Sequence, residues 1–464
     1  MAQSELLPKD TAPRLSVRTL LGYGVGQAGA QVFRDLPTFL LPAFLTTALG
    51  VSPWLMGLAI FLPKLWIFAF DPIVGAWSDR VRTRLGRRRP FLLAGALFSP
   101  VTLPLVFGSP IFAQEWQTAA FTSLAFLLAM TGFSLFSVPY LALGAEMSQD
   151  PHQRSKLMAY RLAFIAIGVF ANTGVSLRLV AGLGGGAHGY WLTSIIMGMA
   201  CGAAMLVCFF GTAGTREDHD APVQTALPWS EKMRIVGRNK PFLLLLLMHF
   251  IHLVAQSAIQ GTTLIFFLYI VHNPALLLGT SLVNGLTIIA SQPLWLAISR
   301  RWGKKRSIMG GLILYIANLT TWALIGPSGA PVAHVPFLGP ISPGDIAILI
   351  RYMILGVAFS GITLMAYSLF TDAVNGKGAD SGNFGIFSGI WSSAEKISYA
   401  TGPLIAGLVL SSTGFLSSQS GVVPQSHGAL TGILVAFVAI PCFLNLITIP
   451  LILMLPLGSH RSAP

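Results

Sequence analysis

The chain has 464 residues, of which 54% are hydrophobic and only 10% charged, and its mean hydropathy is +0.71. A soluble domain of this size would carry about 25% charged residues, so that class is excluded. The formal net charge of +13, from 29 Lys and Arg against 16 Asp and Glu, is scattered in short clusters between apolar runs and gathered nowhere, which excludes nucleic acid as the partner it implies.

Apolar runs long enough to cross a bilayer, about 20 residues each, recur from Leu20 to Leu455. They are continuous and not alternating, so they predict helices and not a membrane β-barrel. In chain order the spans are expected near 20–45, 54–78, 90–109, 117–145, 157–181, 189–211, 242–271, 276–298, 308–326, 346–371, 385–411 and 429–455. This predicts an all-α membrane protein of about twelve transmembrane helices in two six-helix bundles, 1–211 and 242–464, joined by a polar linker at 212–241. A second irregular stretch, rich in Pro and Gly, runs from Gly326 to Gly344.

Basic residues cluster at Lys9 to Arg18, Arg80 to Arg89, Arg154 and Lys156, Arg216 to Lys240, and Arg300 to Arg306, while the intervening loops have almost none. That alternation is the positive-inside pattern and predicts a multi-pass cell-membrane protein with both termini in the cytoplasm. No signal peptide is evident in the polar N-terminal tail. Cys201, Cys208 and Cys442 lie in apolar runs, without metal or disulfide spacing, and read as core packing.

The halves echo each other. Ser78-Asp79-Arg80 followed by Leu85-Gly86-Arg87-Arg88-Arg89 trails the second span, and Ser299-Arg300-Arg301-Trp302-Gly303-Lys304-Lys305-Arg306 trails the eighth. Two halves with corresponding basic turns are the internal repeat of secondary transporters. Asp79 at a helix end, with Arg80, Arg84, Arg87 and Arg88 close by, is expected to form a gating charge clamp between the halves.

A charge inside the membrane costs at least a few kcal/mol, which makes it a functional candidate. Arg34, Asp35, Lys64, Asp71, Arg161, Arg351, Glu395 and Lys396 fall within spans. Lys64 and Asp71 are seven residues apart, on one helix face, and are expected to share an ion-pair network. On the seventh span His249, His252, Gln256 and Gln260 recur at spacings of 3, 4 and 4, a polar stripe expected to face a water-filled cavity. Either histidine is a secondary candidate for proton coupling. Asn284, Thr287 and Ser291 form a weaker stripe on the eighth span.

Gly75-Ala-Trp-Ser-Asp79-Arg80 with Gly86-Arg87-Arg88 resembles the signature loop of the major facilitator superfamily. Asp71-Pro72-Ile73-Val74-Gly75 and Thr83 to Pro90, Val138-Pro139-Tyr140 through Glu146, Arg154, Tyr160-Arg161, Asp372-Ala-Val, Gly385 to Trp391 and Glu395-Lys396 resemble the glycoside–pentoside–hexuronide cation symporter family, which includes the melibiose carrier. The resemblance spans nearly the whole chain and implies the major facilitator fold.

It further implies that Asp71 is the cation-binding aspartate and Ser134 the hydroxyl beside it. By the same resemblance Lys64, Arg161 and Lys396 are basic groups near cation and solute. The family's sugar-contacting acids fall at Gln31 and Ser137, its lysine beside the first of these at Ala30, and polar cation-site neighbours at Ile67 and Phe70. A sodium ion needs several oxygen ligands, whereas a proton needs one titratable group, so the expected coupling ion is H+ in preference to Na+, with no other cofactor.

The leading expectation is a monomeric secondary carrier, coupled to a proton or another cation, for a small polar solute. An excess of intramembrane cations favours a glycoside- or hexuronide-like anion, provided those charges line the cavity. A lysolipid carrier of the same fold and a non-transporting membrane sensor or assembly factor are the alternatives. No metal-ligand constellation or nucleophile–base pair points to an enzyme.

Overall fold

A computed structural model describes residues 15–147, 150–213, 229–335, 339–374 and 384–455. The first half contains α1 (Val17–Thr47), α2 (Pro53–Arg80), α3 (Arg89–Phe107), α4 (Glu115–Glu146), α5 (Pro151–Phe170), α6 (Ser176–Gly182) and α7 (Gly186–Gly211). A short amphipathic α8 (Trp229–Arg238) precedes the second half. That half contains α9 (Lys240–Phe266), α10 (Leu277–Trp302), α11 (Lys304–Thr320), α12 (Pro343–Val374), α13 (Phe384–Ser412), α14 (His427–Leu434) and α15 (Ile440–Leu453).

The pairs α5–α6 and α14–α15 are each one span interrupted by a π-helical turn, at Ala171–Val175 and Val435–Ala439. A third π-helical turn, Phe267–Val271, prolongs α9. Counted this way the described residues form twelve spans, as the hydropathy pattern predicts.

Local chemistry sets where the helices begin. The Ser16 hydroxyl accepts from the Thr19 N–H at the start of α1. The Asn239 side chain accepts from Phe242 N–H at the start of α9, where Pro241 follows inside the first turn. The loop after Gly326 is not wholly irregular, because Ala333–Val335 and Gly339–Ile341 pair as a small antiparallel hairpin.

Ten of the long helices are apolar enough to cross a membrane by length and composition. The other two long helices, α1 and α13, carry Arg34, Asp35 and Glu395, Lys396 in mid-helix. These two sit where the halves meet: α1 packs on α5 and α7 and also on α9, while α13 packs on α9 and also on α2. Each of these two helices thus carries a mid-helix pair of charged residues where the bundles meet.

The repeat seen in the sequence has a structural counterpart. The turn before α3 and the turn before α11 each pass through a left-handed glycine, Gly86 at φ 95° and Gly303 at φ 83°, a conformation that favours glycine. Just beyond each turn a basic residue reaches an acid of the neighbouring helix. Arg88 meets Glu146 at 2.6 Å, and Lys304 meets Asp372 at 2.6 Å.

The halves are joined tightly at one end. A Cβ on Gly407 would lie 2.2 Å from the Pro53 carbonyl oxygen, and one on Gly57 would lie 3.0 Å from the Leu404 backbone, so α2 and α13 touch through their glycines. Ser418 N–H donates to Thr46 O at 2.8 Å and Gly421 N–H to Thr47 O at 3.0 Å. The Ser417 hydroxyl donates to Val51 O at 2.7 Å. At the opposite end, every ion pair among the described residues stays within one half.

Candidate functional site

At the contact of α2 with α13 the chain places its central ion pair. Lys396 of α13 donates to Asp71 Oδ2, and the Ser134 hydroxyl of α4 donates to Asp71 Oδ1. Asp71 is buried, while the Lys396 side chain remains 39% exposed. An ion pair in low dielectric is strong only when the remaining lone pairs are also met, and Ser134 supplies that second bond. The groups implied for the cation site, Asp71 and Ser134, therefore lie together, with Lys396 from the other half added to them.

Lys64 does not pair with Asp71, contrary to the expectation from their spacing. Its ammonium donates to the Tyr399 carbonyl of α13 at 3.0 Å, and the Ser257 hydroxyl donates to the same oxygen at 2.9 Å. The reason lies in the sequence. Pro403, four residues on, has no N–H to give that carbonyl, so the helix leaves it open. Seven residues along a helix share a face but stand about 10 Å apart in rise, and the packed α13 provides nearer partners for both charges.

A second polar chain crosses the first half. Arg161 of α5 donates to Gln27 Oε1 at 2.9 Å, Gln27 to Gln31 Oε1 at 3.5 Å, and Gln31 to Asp35 Oδ2 at 2.5 Å. Arg34 closes the chain on Asp35 Oδ1 at 2.7 Å. Ser137, on α4, is half-buried.

The stripe on α9 does not face one cavity. His249 Nε2 meets Glu395 Oε1 at 3.0 Å and its ring stacks on Trp391 at 4.3 Å. His252 Nδ1 meets Asn445 Oδ1 of α15 at 2.7 Å, and its ring packs against Tyr315 and Phe359. Gln256 accepts from the Tyr315 hydroxyl at 2.6 Å. At 100° per residue the stripe is wide enough for each group to meet a different helix, here α13, α15 and α11. His252, 1% exposed, is part of the second bundle's interior.

Arg351 is likewise removed from the centre. It donates to the Thr321 hydroxyl at 2.9 Å and to the Ala347 carbonyl at 3.1 Å, in a crevice between α11 and α12 with Leu314, Asn318 and Ile354. The charge clamp is also corrected. Arg88 holds Asp79 at 3.0 Å and Glu146 at 2.6 Å, and Arg87 holds Glu146 at 2.7 Å, all inside the first half. Arg80 and Arg84 are exposed. The clamp ties α2 to α4 and does not bridge the bundles in this conformation. The Arg154 side chain and residues 214–228 of the linker lie outside the described residues.

Sequence reasoning missed three parts of this arrangement: the Tyr399 carbonyl, the Asn445 partner of His252, and Tyr367, whose hydroxyl donates to Glu395 at 2.7 Å. Only the first had a local signal, the proline at i+4. Among the described residues no group of three or more His, Cys, Asp or Glu side chains stands ready to hold a metal ion.

Twelve spans in two bundles, with charged side chains meeting at the axis between them, define a membrane transporter of the major facilitator type. The family model for MFS/sugar transport proteins matches residues 22–459, and the chain belongs to that family. It is 25% identical to the candidate glycoside/cation symporter YagG of Escherichia coli (strain K12), over 93% of this chain and 90% of that protein. It is also 25% identical to the isoprimeverose transporter of Lactiplantibacillus pentosus, over 90% of this chain and 84% of that protein. Among solved structures, the nucleoside transporter NupG (D323A mutant) has the same fold. The TM-score is 0.65 at 13% identity, covering 94% of this chain and all of that one (100%).

Proposed function

We propose that the chain is a proton-coupled symporter for a small polar solute of the glycoside or hexuronide class, working by alternating access. The observation that carries this reading is the Asp71–Lys396 pair, which joins α2 of one half to α13 of the other. A proton on Asp71 removes the negative charge that holds Lys396. The two halves then lose a bond across their contact, and Lys396 becomes available to the solute. Deprotonation restores the pair. Binding of one proton and one solute is thereby linked to the relative position of the bundles.

The surroundings of Asp71 support a proton over sodium. Ser134 is the one hydroxyl described on it, and the flanking positions are Ile67 and Phe70, which offer no side-chain oxygen. A hard cation favours a cage of several oxygens. Within the first half, Arg161 is held by the neutral Gln27 and not by a carboxylate. Its charge suits the carboxylate of a hexuronide, and a charge-assisted bond of that kind is the stronger sort. A carrier named for isoprimeverose and a glucuronide carrier homolog among the relatives, each at 25% identity, agree with this solute class.

The test is uptake of radiolabelled methyl glucoside and glucuronate into proteoliposomes under an imposed pH gradient, with and without sodium. Accumulation driven by the pH gradient alone is expected. Accumulation that requires sodium would refute the proton as coupling ion.

A further inference from the structure

The three carboxylates that lie well inside their helices, Asp35, Asp71 and Glu395, differ in what their oxygens meet. Asp35 receives Gln31 on Oδ2 and Arg34 on both oxygens. Asp71 receives Ser134 on Oδ1 and Lys396 on Oδ2. Glu395 receives His249 at 3.0 Å, Tyr367 at 2.7 Å and Trp391 at 2.9 Å, all on Oε1. Among the described residues no donor meets its Oε2, and the side chain is 24% exposed.

The three donors are not alike. His249 and Trp391 are 2% and 3% exposed and stack on each other, so they act as a rigid support that fixes Oε1. Tyr367 is 45% exposed although its hydroxyl is tied to Glu395, so what it presents is its ring. A fixed carboxylate oxygen with no donor is a ready acceptor for a hydroxyl, and such charge-assisted bonds are roughly twice as strong as neutral ones. An aromatic face beside it accepts an apolar surface. A ring-shaped polyol carries both features, hydroxyl groups at its edge and C–H groups on its face.

We propose that Glu395 Oε2 and the Tyr367 ring form a solute subsite on the second half, specific for a hydroxyl-rich ring such as a sugar or glycoside. The proposal rests on the reading above that the chain moves a small polar solute. It places the subsite one residue from Lys396, so that solute and coupling pair meet on the same turn of α13. A carboxylate beside one aromatic ring also suits a quaternary ammonium group. Lys396 and Lys64, which act at the same contact, oppose a cationic solute.

The experiment is a thermal-shift titration of the purified full chain with methyl glucoside, xylose, sucrose and inositol, and with lysophosphatidylcholine as the amphiphile control. At least one of the four polyols is expected to raise the Tm of the unaltered protein, since a ligand of the native state stabilises it by mass action. Glu395→Gln keeps an oxygen for the three donors and turns the free position from acceptor to donor. It is expected to weaken that polyol at least tenfold, about the loss of one charge-assisted bond. Tyr367→Ala should weaken it by a smaller factor. If Glu395→Gln does not fold, Glu395→Asp withdraws the same oxygen by one carbon and should show the same loss.

The two claims separate by variant, because Asp71→Asn should lose accumulation driven by a pH gradient whereas Glu395→Gln should lose polyol affinity. Unchanged polyol affinity in Glu395→Gln would overturn the subsite and leave the coupling account standing. A shift with lysophosphatidylcholine alone, or with none of the polyols, would overturn the subsite together with the solute class.

Discussion

Asp71 on α2 and Lys396 on α13 form an ion pair between residues 325 positions apart, the one ion pair among the described residues that joins the two halves. Its neighbours reinforce the same contact, since Lys64 of α2 bonds the Tyr399 carbonyl of α13 at 3.0 Å. The halves therefore meet through charge near the centre and through glycine at one end. The two kinds of contact predict different consequences when altered.

The glycine contact should be a steric one. A Cβ at Gly407 would meet the Pro53 carbonyl at 2.2 Å, a distance the backbone cannot absorb without moving. Gly407→Val is expected to hold the 46–52 and 413–421 segments apart and to cut solute uptake at least tenfold. Thiol labelling of a cysteine placed at Ser417 should rise in the same variant. Normal uptake by Gly407→Val would show that this end does not need to close.

The clamp inside the first half should contribute stability. Arg88 is buried and Glu146 nearly so, with side chains 8% and 14% exposed, and both Glu146 oxygens accept from Arg88. Removing one partner of a buried pair typically costs about 3–5 kcal/mol. Glu146→Gln should lower the Tm clearly, and Asp79→Asn should do so much less, because Asp79 is 53% exposed. Equal effects of the two changes would contradict this assignment.

His252 should matter for packing and not for coupling. Asn445 holds its Nδ1 at 2.7 Å, and among the described residues Nε2 meets no partner. Asn445→Ala leaves the ring without that bond, at a cost of about 1–3 kcal/mol for an unmet buried group. A lower Tm with an unchanged pH profile of uptake is expected. A shifted pH profile would return His252 to the proton path.

Orientation is tested by thiol labelling, which has a low background because Cys201, Cys208 and Cys442 are all buried. The basic turns are expected in the cytoplasm, so Arg82→Cys should react only from that side and Gly329→Cys only from outside. Both positions are exposed, and a side chain at Gly329 meets nothing within 4 Å. Labelling of Arg82→Cys from outside would reverse the topology.

The spans were legible because each satisfies a local requirement, a run of apolar residues of membrane length. The two charged helices, α1 and α13, were legible for the same reason in reverse. Asp71, Ser134 and Lys396 could be marked from the sequence by cost and by resemblance, but their partners could not. Spacing put Lys64 and Asp71 on one face of α2, and α13 then supplied a closer partner for each. The polar stripe on α9 had the right period, yet which neighbour each side chain met depended on where α11, α13 and α15 pack. The clamp was read as joining the halves because Asp79 ends a helix with arginines close behind it in the chain. In the structure Glu146 on α4 draws both arginines into the first bundle.

In the proposed mechanism, protonation of Asp71 releases Lys396 and so couples the proton to movement of the halves. The measurement that tests it most directly compares accumulation with exchange for Asp71→Asn. Proteoliposomes would be tested with radiolabelled methyl glucoside and glucuronate, under a pH gradient for accumulation and with unlabelled solute inside for exchange. Asp71→Asn, which cannot change charge, is expected to lose accumulation against a gradient while exchange of the transported solute persists. Full pH-driven accumulation by Asp71→Asn would contradict the account and move coupling to another group, with His249 and Glu395 the next pair to test.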